Sequence, residues 1–279
     1  MSSVDALLDP VIQLANEAAA AIMAVYAQAD SGSRAKDDQS PLTEADLAAH
    51  RSLVTGLSRL TPDVPVLSEE GGLPDFSERS RWTRYWLIDP LDGTKEFLKR
   101  NGEFTVNVAL IVDHRPVLGV VQVPATGVCY AASPARGAFK VESGGATSSL
   151  AVRSCPADAR PTVVASRSHQ SPEVAAYLEQ LGPCDLASMG SSLKICLVAE
   201  GKADIYPRLG PTSEWDTAAA QAVLEAAGGR LTDLVGRPMR YNTKAEILNP
   251  FFLAFGDASR DWRAYLPEPR PDSAGRGCT

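Results

Sequence analysis

The chain has 279 residues, 44% hydrophobic and 22% charged, with 34 acidic against 27 basic side chains and a net charge of −7. That length suits one large domain or two compact lobes with a sizeable core. The negative balance argues against a nucleic-acid duplex or an anionic membrane as the main partner. A small phosphorylated substrate stays open, because a bound metal supplies positive charge locally.

Residues 5–29 place Leu8, Ile12, Leu14, Ala15, Ala18, Ile22 and Tyr26 at helical spacing, and the polar run 30–33 ends that helix. Residues 34–41 read as a polar loop. A second helix is expected from Thr43 to about Leu60, with Leu47, His50, Leu53, Val54 and Leu57 on one side. Thr43-Glu44-Ala45-Asp46 resembles a capping box with Asp in the last place. Val64 to Ser68 reads as a short strand ending in Glu69-Glu70-Gly71-Gly72, and 76–84 as a polar connector.

Tyr85 to Ile88 is an apolar run of the kind that forms a short buried strand. Asp89 and Asp92 follow, three residues apart. Pro90 removes a backbone donor and is expected to stop the strand. Gly93 permits a tight turn or a close approach to a ligand. Strands are expected at 104–112, 116–123, 128–133 and 137–141. Gly144-Gly145 reads as a connector between an N-terminal lobe, 1–145, and a C-terminal lobe, 146–266. In the second lobe the pattern gives a strand at 162–166, a helix at 172–181, a strand at 184–188, a helix from Gly190-Ser191-Ser192 to about Glu200 and a strand at 203–207. A helix from Asp216 to Ala227 closes on Gly228-Gly229, with weaker strands near 230–232 and 251–255. The segment 267–279 is rich in Pro, Gly, Ser and Arg and is expected to be disordered. Strands and helices mix without strict alternation, so the class is α+β with layered lobes.

The five cysteines are scattered, with no C-x-x-C spacing, which points to a reduced cytoplasm rather than a disulfide framework or a zinc knuckle. No basic segment followed by an apolar run opens the chain, and no apolar stretch approaches the length of a membrane span, so neither a signal peptide nor a transmembrane segment is expected. Three histidines argue against a His-based zinc site.

Acids therefore carry the chemistry. Asp89 and Asp92, with the carbonyl of Leu91, suit a hard cation such as Mg²⁺. Taken alone, Asp-Pro-x-Asp-Gly also reads as a surface turn. Glu69-Glu70 at one strand end and Asp216 after Trp215 add to the set, although each has a plainer reading as a solvated turn or a helix-dipole partner. No G-x-x-x-x-G-K-[ST] loop, Asp-x-Asp-x-Thr run or G-x-S-x-G elbow is present.

Together, Glu69-Glu70, Asp89-Pro90-Leu91-Asp92-Gly93-Thr94 and Trp215-Asp216-Thr217-Ala218-Ala219 resemble the signatures of the lithium-sensitive, Mg²⁺-dependent inositol monophosphatase superfamily, over roughly residues 5–256. Within it the chain looks closest to the CysQ-type 3′(2′),5′-bisphosphate nucleotidases. Asp92 to Phe97, the run Lys99 to Asn107, Ser166 to His169, Gly190 to Lys194 and Tyr206-Pro207-Arg208 carry that likeness. Inositol monophosphatases usually have Thr-Asn-Phe after the Asp-Gly-Thr, and Lys95-Glu96 points away from them.

The resemblance implies a layered αβαβα sandwich of the inositol monophosphatase/fructose bisphosphatase type. It implies metal ligation by Glu69, Asp89, the Leu91 carbonyl, Asp92 and Asp216, with two or three Mg²⁺ ions and inhibition by Li⁺ and Ca²⁺. Thr94 paired to Asp46 would activate water, helped by Glu70 through a metal-held water. Glu69, Asp216 and the backbone of Gly93 and Thr94 would meet the scissile phosphate. Ser192, Lys194, Arg208, His169 and Arg167 would hold the second phosphate, and Lys36 would approach the metals. The implied activity is Mg²⁺-dependent removal of the 3′-phosphate of 3′-phosphoadenosine 5′-phosphate, in sulfate assimilation, by a cytoplasmic monomer or homodimer. Alternatives are an inositol monophosphatase or fructose-1,6-bisphosphatase on the same scaffold, and a phosphonucleotide sensor, which would not need a water-activating pair.

Overall fold

A computed structural model describes residues 3–27, 34–35, 41–42, 44–165 and 171–267. Lys36, Thr43, Arg167, His169 and the tail from 268 lie outside the described residues. A 3₁₀ turn, Val4–Leu7, is capped by the Ser3 hydroxyl and runs into α1 (Leu8–Tyr26). The two-residue strands β1 (Arg34–Ala35) and β2 (Pro41–Leu42) pair antiparallel before α2 (Glu44–Leu60). Then come β3 (Val66–Ser68), a 3₁₀ turn at Glu69–Gly71, α3 (Phe76–Arg79), β4 (Arg84–Asp92), α4 (Thr94–Leu98), β5 (Thr105–Val112), β6 (Arg115–Val123), β7 (Val128–Ser133), β8 (Gly137–Val141) and β9 (Thr147–Ser149). The later elements are β10 (Thr162–Ala165), α5 (Pro172–Leu181), β11 (Asp185–Ser188), α6 (Leu193–Ala199), β12 (Ile205–Arg208), a 3₁₀ turn at Glu214–Asp216, α7 (Ala218–Ala226), β13 (Arg230–Asp233), β14 (Phe252–Phe255) and a 3₁₀ turn at Trp262–Tyr265.

β3 to β9 form one sheet in chain order, antiparallel except for the parallel pair β3–β4. The second sheet runs β11-β10-β12-β14-β13, parallel in its first three strands and antiparallel at β14 and β13. Strand alternation assigns the layers. Trp86, Ile88, Val108 and Val120 pack on one face of the first sheet with Leu8, Val11 and Ile22 of α1 and Leu53 and Leu57 of α2. Tyr85, Leu87, Ala109 and Val121 face the other way, onto α6 and α7, which also cover Val164, Tyr206 and Phe252 of the second sheet. Val163, Ile205 and Leu253 on the far face meet Tyr177 and Leu181 of α5 and Trp262. The order of layers is αβαβα.

Several expectations change. β4 continues through Pro90 to Asp92, because the pairing with β5 shifts register between Asp89 and Asp92 and a missing N–H is tolerated at such an irregularity. The connector at 76–84 contains α3, and α4 follows Gly93 directly. Gly144 and Gly145 form the turn of the β8–β9 hairpin, where Gly145 takes φ +82° and Glu142 N–H donates to the Ala146 carbonyl at 2.8 Å. Asp216 ends a 3₁₀ turn instead of opening α7. By length and composition the helical stretch Val4–Tyr26 could cross a membrane. Its apolar stripe is instead spent on α2 and the first sheet, with Leu8, Val11, Ala15, Ala18 and Ile22 fully buried.

The helix layer between the sheets sits close to β6. A Cβ on Gly119 would stand 2.2 Å from the Ala219 carbonyl oxygen and 2.8 Å from Ala222 Cβ. Gly119→Ala is therefore expected to destabilise the protein by about 1–3 kcal/mol through overpacking. A urea-unfolding midpoint equal to wild type would contradict this packing.

Candidate active site

The first sheet ends in acids at two neighbouring strands. Ser68 pairs with Ile88, so Glu69 follows β3 beside the point where Asp89 follows Ile88. Asp89 is 1% exposed and sits opposite Asn107, the last pair before the register shifts. Its Oδ1 accepts from Leu91 N–H at 3.0 Å. Gly93 turns the chain at φ +95°, a conformation that favours glycine, and a Cβ there would stand a tight 3.2 Å from the Glu103 carbonyl oxygen. The Thr94 hydroxyl points back and donates to the Leu91 carbonyl at 3.5 Å. From α2, Asp46 reaches the same region and is 2% exposed.

These carboxylates perturb one another. Burial pushes Asp89 well above the ordinary carboxylate range, and Glu69, Asp92, Asp216 and Asp46 push it further. Burial also raises Asp216 to about 8; Asp92 and Glu69 add to the rise, while the Ser213 N–H and Arg208 oppose it. The structure thus brings together Asp46, Glu69, Asp89, Asp92 and Asp216 as one electrostatic cluster.

Ser192 has a different place from the one expected of it. Its backbone N–H and its hydroxyl lie 2.6 and 2.8 Å from Asp92 Oδ2, and the hydroxyl also lies 2.6 Å from the Asp216 carbonyl oxygen. Asn107 Nδ2 donates to that hydroxyl oxygen at 2.8 Å. With these groups engaged, Ser192 ties Asp92 to Asp216 and has no N–H left for a phosphate. Ser191 beside it adopts φ +48°, and a Cβ on Gly190 would meet the Glu103 carbonyl oxygen at 2.6 Å, so the approach to Ser192 is tightly constrained.

The turn bearing Asp216 is held from behind. Asp216 Oδ2 accepts from Ser213 N–H at 2.9 Å. Buried Glu214 accepts from Asn242 N–H at 2.8 and 3.0 Å, and burial raises its carboxyl to about 7. Asn249 Nδ2 donates to the Ser213 carbonyl and to Thr217 Oγ1. Fully buried Arg79 reaches Asn242 and the carbonyls of Lys244 and Ala245.

Beside the acids lies a cleft of about 240 Å³ lined by Asp92, Asp216, Ser192, Lys194 and Arg208. Burial lowers the Lys194 ammonium's affinity for its proton, while Asp92, Glu96 and Asp216 act the other way. The Lys194 Nζ also sits 5.6 Å from the Tyr206 ring centroid. Arg208 is steadied by the Pro211 carbonyl at 2.7 Å, and its buried Nε has no hydrogen-bond partner among the described residues. Glu96, Lys99, Asn101, Glu103, Tyr206 and Thr212 also line it. Sequence reasoning gave none of these a site role, although most fall in the runs that carried the family likeness. Nothing in the spacing signalled that Asn107 and Ser192 would meet, since 85 residues separate them.

The donors around Asp89 are all oxygens, which fits a hard divalent cation better than zinc or copper. Among the described residues no three acidic, His or Cys side chains close on a single point. Asp92 and Asp216 instead aim oxygens at N–H donors of Ser192 and Ser213. Carboxylates this crowded and buried favour protons, local donors or a shared cation.

The sequence profile of the inositol monophosphatase family matches residues 3–260. The chain is 52% identical over 252 residues to the 3′(2′),5′-bisphosphate nucleotidase CysQ of Escherichia coli K12, covering 88% of this chain and 98% of that one. It is 53% identical over 248 residues to the protein of the same name from Salmonella typhimurium LT2, with the same coverage. Among solved structures, CysQ from Bacteroides thetaiotaomicron superposes with a TM-score of 0.77 at 41% identity, over 88% of this chain and 96% of that chain. The suhB protein of Bartonella henselae shares the fold, with a TM-score of 0.75 at 21% identity over 94% and 98% of the two chains.

The cluster has a pH signature. Between about pH 4 and 8, protein kept in chelator holds a proton on Asp216 that the unfolded chain has lost, so its stability falls as pH rises across that window. A divalent cation held at Asp216 would displace the proton and offset the fall. In EDTA the Tm is expected to drop from pH 5 to pH 8, with Mg²⁺ raising it more at pH 8 than at pH 5. A Tm in EDTA that climbs over this range, or a Mg²⁺ shift equal at both pH values, would contradict the crowded-acid description.

Proposed function

The chain belongs to the inositol monophosphatase family, and on that premise we propose that it is a 3′(2′),5′-bisphosphate nucleotidase. It removes the 3′-phosphate of 3′-phosphoadenosine 5′-phosphate to give AMP and phosphate, and so clears a by-product of sulfate assimilation. The observation that carries this reading is one cleft in which Asp92 and Asp216, two members of the acid cluster, stand with Lys194 and Arg208. An acid cluster alone suits any phosphomonoester. A second cationic subsite suits a substrate with a second phosphate.

The enzyme depends on a divalent metal, which we assign as Mg²⁺, two or three ions, with Li⁺ and Ca²⁺ as inhibitors. Glu69, Asp89, Asp92, Asp216 and the Leu91 carbonyl are the residues that would hold it. When bound, the metal supplies Lewis-acid polarisation of the phosphate and a lowered pKa for water. The chain's own residues then orient the reactants. Gly93 and Thr94, at the turn into α4, offer backbone N–H groups to the scissile phosphate. The Thr94 hydroxyl and Asp46 align the attacking water and take up its proton, with Glu70 assisting. The proton is returned to the departing 3′-oxygen, so water is split between the ribose hydroxyl and inorganic phosphate. Lys194 and Arg208 bind the phosphate that does not react, and that dianion, like Asp92, Glu96 and Asp216, favours the charged form of Lys194 against burial. The cysteines Cys129, Cys155, Cys184 and Cys196 are free thiols, in keeping with a reducing cytoplasm.

Asp92→Asn is expected to lower turnover by more than about 100-fold, since it removes a charge from the metal set; phosphate release near the wild-type rate would sink the assignment. Lys194→Ala should raise KM for 3′-phosphoadenosine 5′-phosphate by about 10-fold or more while changing KM for 3′-AMP less than about threefold. Equal losses on the two substrates would remove Lys194 from the second-phosphate subsite.

A further inference from the structure

α2 carries Asp46 and His50 four residues apart, on one face of the helix. Both meet the end of the β3–β4 pair. His50 Nδ1 lies 2.8 Å from Ser68 Oγ, a hydrogen bond that joins residues 18 apart in sequence. Ser68 is 3% exposed, is the last residue of β3 and immediately precedes Glu69 and Glu70. The imidazole also packs on Gly71, where an added Cβ would stand 3.3 Å from His50 Cε1. It lies close enough to Glu70 for the two to interact electrostatically.

Ala45, Ala49, Leu53 and Leu57 of this helix pack on the sheet through apolar contacts. Such contacts fix how deeply a helix packs but are non-directional. A hydrogen bond is directional and fixes position along and around the helix axis. The bond from His50 is made one helical turn beyond Asp46 and one residue before Glu69. It therefore acts on the spacing between two groups that the reaction needs in register: Asp46 on one side, Glu69 and Glu70 on the other.

We propose that His50 is a positioning residue for the hydrolysis, its hydrogen bond to Ser68 clamping the helix of Asp46 to the strand end of Glu69 and Glu70. The proposal rests on the reading of this site as a metal-dependent phosphatase. His50 touches neither substrate nor metal in this account. It works through the residues it holds, as partners of metal ligands do elsewhere.

The test compares wild type, His50→Leu, His50→Asn, Ser68→Ala and the His50→Leu/Ser68→Ala double variant, all as full chains. Mn²⁺ affinity is measured by calorimetry without substrate, and kcat and KM are measured with 3′-phosphoadenosine 5′-phosphate at saturating Mg²⁺. His50→Leu and Ser68→Ala are each expected to weaken Mn²⁺ and lower kcat by about tenfold, with KM within about twofold of wild type. His50→Asn, whose amide can stand where Nδ1 stands, should recover most of both losses. The double variant should be no worse than either single one, because both break the same bond. Unchanged Mn²⁺ affinity and kcat in Ser68→Ala, a variant that leaves the helix packing untouched, would overturn the proposal. So would losses that multiply in the double variant, or no recovery with Asn. Wild-type protein that releases no phosphate would overturn the phosphatase reading instead, and the Mn²⁺ arm would still decide whether the clamp exists.

Discussion

Repulsion among buried carboxylates is the constraint around which the rest of this molecule is arranged. Asp46 of α2, Asp92 of β4 and Asp216 of the 3₁₀ turn come from three different elements, yet each raises the cost of ionising Asp89, and Glu69 adds to it. Left to itself such a cluster would splay apart or protonate. The surrounding structure resists splaying with directed N–H and O–H donors. Leu91 N–H serves Asp89, Ser192 serves Asp92, and Ser213 N–H serves Asp216. These donors hold the carboxylates at short range, so the repulsion is relieved by a proton, as on Asp216, or by a shared cation.

The cluster also lies across the join between the two sheets. Asp89 and Asp92 end a strand of the first sheet, Asp216 precedes a helix of the middle layer, and Ser192 stands at the start of the other helix of that layer. Asn107, Ser192, Asp92 and Asp216 are bonded in one chain of contacts from the first sheet to the middle layer. The close seat of α7 on Gly119 fixes the height of that layer, and the Glu214–Asn242–Arg79 network fixes the turn before Asp216. Packing far from the chemistry thus sets distances within it. The cationic side of the cleft depends on the same layer, since Lys194 lies in the first turn of α6 and Arg208 ends the strand that follows it.

The α+β class was legible in the mix of apolar-striped helices and apolar strands, whereas the αβαβα order of layers came only with the family resemblance. The acids were legible as a group because they follow apolar strands at turn residues. What escaped were features that depend on contacts remote in sequence. Pro90 reads as a stop, yet a register shift opposite β5 accommodates it. Gly144-Gly145 reads as a lobe connector, yet a short further strand makes it a hairpin turn. Ser192 reads as an anion-binding helix start, yet its donors are engaged by Asp92 and Asp216, which lie 100 and 24 residues away in sequence. The partnership of His50 with Ser68 left only the Asp46–His50 spacing as a trace. Lys36, expected near the metals, and Arg167 and His169, expected near the second phosphate, lie outside the described residues.

The central claim is that the oxygen donors around Asp89 form a site for more than one divalent cation. The most direct test is an anomalous difference map from a crystal of this protein soaked in Mn²⁺. Two peaks about 3.5–4 Å apart, with Asp89 between them and Glu69, Asp92, Asp216 and the Leu91 carbonyl around them, are the predicted result. No peak at these residues, or a metal held elsewhere in the chain, would contradict the account.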